Sequence, residues 1–253
     1  LVIYPMIINS PNLLNLETTK SKVATLGFVD DSGNTLPEIP QGGSNYEWDE
    51  NTGLQRKIVY DIVTQNFIMS SDYLTSLTVL NAQNLGDEKE AISTVQSFLG
   101  GINSFPSDID LTLTKNSNPE ILYATSPQLY SISNGQLIRT TSLSSTQVIR
   151  VDLYQKDVDY IVTAGLNNNL THFQDFELKL PILYPHPPYS TMNFLVASGQ
   201  GQADVVSGIF NHQTINLTPD KQATYPIKTA TEAFDDLKNG KGYVAAYSAT
   251  DTQ

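Results

Sequence analysis

Asp87-Glu88-Lys89-Glu90-Ala91-Ile92-Ser93-Thr94-Val95 and Thr229-Ala230-Thr231-Glu232-Ala233-Phe234-Asp235-Asp236-Leu237 read as one helix written twice. Each opens on a side-chain oxygen that can accept from the third helical N–H, with a glutamate placed to reach back: a capping box. Each carries an apolar stripe and meets glycine at its end, Gly100-Gly101 in the first and Gly240 in the second. Around them the chain alternates apolar and polar residues at the period of half-buried strands. Capped helices punctuating a β-rich chain decide the fold class, which is α+β: antiparallel β-sheets with two or three short amphipathic helices packed on them.

Working outward, a first helix is expected over residues 16 to 28, where Val23, Ala24 and Leu26 precede Gly27. Asp30-Asp31-Ser32-Gly33-Asn34 is dense turn chemistry. Tyr46-Glu47-Trp48 and Leu54 to Val63 alternate on either side of Asn51-Thr52-Gly53, a hairpin with Ile58 and Tyr60 on one face and Val59 on the other. A strand over Phe67 to Ser71 follows. The central helix runs from about Glu88 to Leu99, with Ala91, Ile92, Val95, Phe98 and Leu99 as its stripe. Ile109 to Thr114 reads as a strand. Asn134-Gly135 between Tyr130-Ser131-Ile132-Ser133 and Gln136-Leu137-Ile138 is the strongest short hairpin signal in the chain. Gln147 to Tyr154 is expected to pair with Val158 to Val162 around Gln155-Lys156-Asp157. Phe176 to Leu180, Phe194 to Ala197 and Asp204 to Phe210 complete the strands. The last helix, Ala230 to Asn239, is expected to turn Ala230, Ala233, Phe234 and Leu237 inward. Three modules follow from this order: a helix-plus-hairpin module over 1–80, a central helix-plus-antiparallel-sheet module over 81–185 and a strand-helix-strand module over 186–253. One compact domain is the alternative.

Only 16% of the 253 residues are charged, and the formal net charge is −12. The 14 lysines and arginines are scattered, which argues against nucleic acid and against an anionic membrane surface as partner. The absence of cysteine excludes disulfides, a thiolate nucleophile and cysteine-based metal centres. Leu1-Val2-Ile3-Tyr4-Pro5-Met6-Ile7-Ile8 is apolar but too short to span a bilayer. It reads as an N-terminal strand or core-packing segment; the alternative, to which the strand starting at Gly242-Tyr243-Val244-Ala245-Ala246-Tyr247 adds, is a piece cut from a longer, membrane-anchored precursor. The membrane would then be reached only through a missing N-terminal anchor.

Tyr225-Pro226-Ile227-Lys228-Thr229-Ala230-Thr231-Glu232-Ala233, followed by Leu237, Gly240 and Tyr243-Val244, resembles the helix-plus-hairpin unit of PepSY domains found outside bacterial membranes. It is also similar to the C-terminal segment of membrane-anchored extracytoplasmic regulators of the Gram-positive cell-wall sensor kinase. Val23-Ala24-Thr25-Leu26-Gly27-Phe28, Tyr46-Glu47-Trp48, Tyr60-Asp61-Ile62, Asn66-Phe67 and the Tyr225 segment extend a resemblance across most of the chain. That resemblance is to uncharacterised single-pass proteins of small-genome, uncultured bacteria. It implies an extracytoplasmic, non-enzymatic domain behind an N-terminal anchor, and it brings no functional residues with it.

Chemistry is sparse in the sequence itself. His172, His186 and His212 stand apart, and neither a His-Glu-x-x-His nor a Gly-x-Ser-x-Gly motif is present. Asp31-Ser32-Gly33 has the form of an aspartic-protease motif but occurs once, where that chemistry needs two carboxylates sharing a proton. It reads as a turn. Asp30, Asp31, Ser32 and Asn34 could offer oxygens to calcium, as could Asp49, Glu50 and Asn51, without a full calcium-loop pattern. Gly199-Gln200-Gly201 is a flexible turn and not a phosphate cradle. Tyr184, His186 and Tyr189, set among prolines, are the candidates for a sticky aromatic surface. The expectation is therefore a domain without catalytic or cofactor-binding residues, an interaction, scaffold or regulatory module bound to protein partners of a bacterial cell envelope. A structural subunit of a surface layer or filament is the rival, and an envelope hydrolase a more distant one.

Overall fold

The computed structural model describes residues 2–3, 13–50, 53–82, 85–102, 105–109, 111, 125, 127–165, 173–180, 182, 184, 189–199, 202–213, 223–224 and 228–241. Contacts group the chain into two compact units, residues 8–212 and residues 1–7 with 213–253.

In the larger unit, α1 (Leu13–Thr25) leads into β2 (Ile39–Gly42), β3 (Asn45–Asp49), β4 (Lys57–Asp61) and β5 (Phe67–Ser70); β1 (Val2–Ile3) belongs to the smaller unit. Two helices follow, α2 (Leu77–Leu80) and α3 (Glu88–Gly101). The remaining strands of this unit are β6 (Gln128–Ser133), β7 (Gln136–Arg139), β8 (Val148–Leu153), β9 (Val158–Gly165), β10 (Phe173–Leu180), β11 (Met192–Gly199) and β12 (Gln202–Phe210). Nine of these strands form one antiparallel sheet in the order β2-β3-β4-β5-β12-β11-β8-β6-β7. It takes strands from each of the three stretches expected as modules. The α+β plan is the observed one.

Helix α1 ends as its sequence predicts. Gly27 adopts φ +90°, Gly27 N–H donates to Ala24 O and Phe28 N–H to Val23 O, a Schellman closure sealed by contact of Phe28 with the buried Val23. At α3, Asp87 Oδ1 accepts from Lys89 N and Glu90 N, both at 2.9 Å. The expected box is half formed there, because the Glu90 carboxylate lies over Gly86. The helix also runs through Gly100 and Gly101 to cap at Ile102, which is buried and draws the last turn onto the sheet.

Strand alternation splits the sheet into two faces. Trp48, Ile58, Tyr60, Phe67, Met69, Ile149, Val151, Met192 and Phe194 point to the first, with Val23 of α1 and Ala91, Val95 and Leu99 of α3. Phe98 of α3 meets Phe67 and Phe194 ring to ring at 6.2 and 6.0 Å. A smaller cluster of Val79, Val148, Ala197 and Val206 sits on the second face under α2. The register shift between Leu195 and Val196 leaves Val206 without a β11 partner; Val205 packs in the main core and Val206 in the smaller cluster.

The hairpin at Asn134-Gly135 forms with φ +52° and +71°, the paired left-handed residues of a type I′ turn. The pairing expected between Gln147–Tyr154 and Val158–Val162 does not form. β8 lies between β6 and β11 in the large sheet, while β9 pairs with β10 in a separate two-stranded sheet. Gln155, in the intended turn, instead bridges to Ile109. Most of the strand expected over Ile109 to Thr114 lies outside the described residues.

In the smaller unit, β1 pairs with β13 (Ala223–Thr224), and α4 (Ala230–Lys238) has the complete capping box between Thr229 and Glu232. Gly240, at φ +71°, closes its end in a second Schellman motif. The expected inward face is a correction: no residue of α4 is buried, Phe234 being 58% and Leu237 44% exposed. Polar contacts hold the helix instead: the capping box, ion pairs of Lys228 and Lys241 with Asp236, and Lys238 Nζ over the Phe234 ring at 4.9 Å. Among the described residues no helix is long and apolar enough to cross a membrane.

Candidate interaction surface

The second face of the large sheet is only partly covered. Register aligns Ile39, Glu47, Val59, Ile68, Ile209, Asn193 and Asp152 across seven strands in one row. Its isoleucines are exposed: Ile39 45%, Ile68 56% and Ile209 39%. Ile68 and Ile209 are direct cross-strand partners, so they form one contiguous apolar spot.

One row further along the strands, Asp49, Lys57 and Ser70 are register partners on the same face. They line a cleft of about 400 Å³ with Glu50, Gln55, Ser71 and Asp72. Lys57 Nζ lies 3.1 Å from Glu47 Oε1 and 3.6 Å from Asp49 Oδ2. The hydrogen bond to Glu47, then the charges of Glu47 and Asp49, raise the ammonium's pKa above its ordinary value. Glu50 is held from below by Arg56, whose Nε and Nη2 donate at 2.7 and 3.1 Å. The Arg56 guanidinium in turn lies over the Phe28 ring at 5.1 Å. Ser71 Oγ donates to Val206 O at 2.6 Å, and Asp72 N–H to Leu54 O at 3.0 Å. These bonds fix the cleft wall. The Asp72 carboxylate has no partner among the described residues.

At the other end of the row Arg150 grips the buried Asp152 with two hydrogen bonds of 2.9 Å and lies over the exposed Tyr189 ring at 5.3 Å. Of the aromatic candidates, then, Tyr189 reaches solvent. Tyr184 is buried: its hydroxyl accepts from Gln155 N at 2.9 Å and its ring meets Tyr154 edge-on at 5.3 Å. His186 lies outside the described residues.

The calcium candidates form a self-closed turn. Asp30 Oδ1 accepts from Ser32 N and Asn34 N at 2.9 Å each, and Gly33 N–H donates to Asp30 O. The Asn34 backbone bond, with further bonds from Asn34 and Ser32, holds the Asp30 carboxyl below its ordinary pKa. Asp31, the aspartate of the protease-like motif, is exposed. Among the described residues no group of three or more His, Asp or Glu side chains could hold a metal ion.

One polar cluster has no counterpart in the sequence reading. His212 Nε2 lies 2.9 and 3.1 Å from the Asp108 carboxylate oxygens, and Gln155 Nε2 donates to Asp108 Oδ2 at 2.8 Å. Asn66 Oδ1 accepts from His212 N, and the His212 ring stacks on Phe210 at 6.0 Å. Burial raises the Asp108 carboxyl, but the bonds from His212 and Gln155 and the histidine's charge outweigh it, leaving the pKa lowered. The cluster joins the segment after α3, the chain after β8 and the end of β12. No local signal could have found it, since His212 and Asp108 are 104 residues apart. The isoleucine row did leave a trace: Phe67-Ile68-Met69 is apolar on both faces of its strand. No known protein family, curated protein or solved structure matches the chain significantly.

Proposed function

We propose that the chain is a non-catalytic interaction domain of a bacterial cell envelope, held outside the cytoplasm behind an N-terminal anchor and working through protein contacts. The observation that supports this best is the second face of the nine-stranded sheet, with its exposed isoleucine row beside a polar cleft. Large apolar side chains grouped on an otherwise polar surface are the common mark of a protein-binding site. The PepSY-like and regulator-like resemblance gives the cellular setting. A photo-crosslinking residue at position 68, compared with one at Glu88 on the opposite side of the sheet, tests the contact in cells. A specific adduct from position 68 alone is expected; equal labelling from both positions counts against this reading. An export-dependent reporter enzyme fused behind the full-length gene product tests the location, and activity only in the cytoplasm would refute it.

The two edge strands favour a second reading, a subunit of a surface layer or filament. Among the described residues β2 and β7 each have a single neighbour, which leaves one row of backbone groups that another copy could pair with. Light scattering on the purified chain separates the readings: a mass that stays monomeric on concentration speaks for the interaction domain.

A further inference from the structure

We infer that the open face binds a cationic amphipathic protein segment, one that presents a large apolar side chain with a lysine or arginine about 7 Å from it, the spacing of alternate residues on a strand. This rests on reading the face as an interaction surface and adds the chemistry of the partner. Ile68 and Ile209 supply the apolar contact, and the cleft one row away supplies the charge.

The sign of that charge follows from the pairing within the cleft. Glu50 is neutralised by Arg56, and Lys57 by Glu47. Asp49 has only a share of Lys57 at 3.6 Å, and the Asp72 carboxylate has no partner among the described residues. The cleft therefore holds carboxylate in excess of cation and can accept one more positive group beside Ser70 and Gln55. Polar walls make it unsuited to an apolar anchor, which the isoleucines take instead. From Ile39 to Ile209 the row crosses five strands, a span of about 19 Å at ordinary strand spacing, which suits a polypeptide segment better than a small molecule. A second copy of the chain would bring another net charge of −12 to an already acidic site, so a basic partner is the better electrostatic match.

The probe is a short labelled peptide with leucine and lysine alternating on one face of an extended strand, and its leucine–glutamate counterpart, followed by fluorescence anisotropy. Only the lysine peptide should bind. Ile68→Ser with Ile209→Ser, and separately Asp49→Asn with Asp72→Asn, should each weaken it about tenfold or more. Glu17→Gln with Glu88→Gln removes the same charge from α1 and α3 on the other side of the sheet and should change the affinity less than about twofold. Added salt should weaken binding to the parent chain more than to the Asp49→Asn/Asp72→Asn variant, a comparison that needs no equal stability. Circular dichroism confirms that each variant is folded.

Equal binding of both peptides, no binding of either, or equal loss from the Glu17/Glu88 pair would overturn the inference. So would self-association that the isoleucine variant abolishes, because a second copy would then own the face. If position 68 still crosslinks a cellular partner while the lysine peptide does not bind, the partner chemistry fails and the interaction reading stands. If neither occurs, both fall.

Discussion

Two glycines illustrate what a residue's neighbours in sequence can and cannot reveal. Gly27 follows an apolar stripe and was legible as a helix stop, a left-handed position that L side chains adopt at a cost. An added Cβ would also come within 3.0 Å of Arg56 Nη2, so Gly27→Ala should cost about 1–2 kcal/mol. Gly208 gave no such signal, because its reason is across the sheet: it sits opposite Phe194, where a Cβ would be 2.5 Å from the ring's Cδ1. That ring is fully buried and cannot move freely, so Gly208→Ala should destabilise by about 1–3 kcal/mol. Urea unfolding followed through Trp48, the single and fully buried tryptophan, measures both. An unchanged midpoint for Gly208→Ala would mean the strand can shift to admit the methyl group. Asp108 is a third site set by distant partners. Its folded pKa is depressed, so its stabilisation is present above the unfolded carboxylate range and is lost as pH falls through the folded pKa. The group is 40% exposed, which screens the effect to about 1 kcal/mol or less. Asp108→Asn should therefore be less stable than the parent at pH 7, and the gap should close on acidification. A gap that is constant with pH would show that the carboxylate's charge is not what stabilises the cluster.

At the scale of elements, local patterns told most of the helices and strands but not which strands pair; β2, whose Pro40 and Gly42 read as a loop, and the four-residue α2 were not legible. The α3 stripe, the Asn134-Gly135 hairpin and the β3–β4 hairpin were legible because their partners are themselves or the next segment. The expected β8–β9 hairpin does not form, because alternation on both sides of a plausible turn carries no information about a third strand. β8 finds β11 and β6, which together cover its length. The α4 stripe was read correctly as amphipathic and wrongly as inward, since a stripe does not say that anything comes to cover it. Burial predicts a sharp contrast between the two look-alike helices. Leu99→Ala in α3 removes a fully buried side chain from the main core and should cost about 2–5 kcal/mol. Leu237→Ala in α4, 44% exposed, should cost less than about 1 kcal/mol. Thermal unfolding of both variants checks the pair, and equal losses would show that α4 has a packing partner after all.

For the whole molecule, the decisive contact is the one between β5 and β12, where Phe67, Ile68 and Met69 meet Phe210, Ile209 and Gly208. It fuses an N-terminal meander to strands from much later in the chain, and it also creates the candidate site by bringing Ile68 beside Ile209. No short window contains that information, which is why the α+β class could be read from the sequence while the candidate face could not. All nine strands of the large sheet and, among the described residues, both buried clusters and the His212–Asp108–Gln155 cluster lie within residues 8–212. A chain trimmed to that unit should fold cooperatively, with the blue-shifted emission of a buried Trp48 and a single urea transition. It should also bind the lysine-bearing peptide as the longer chain does, since neither Ile68, Ile209, Asp49 nor Asp72 belongs to the smaller unit. A trimmed chain with solvent-exposed tryptophan emission would show that the sheet needs the terminal segments to form. A folded one that no longer binds would show that binding needs residues 1–7 or 213–253.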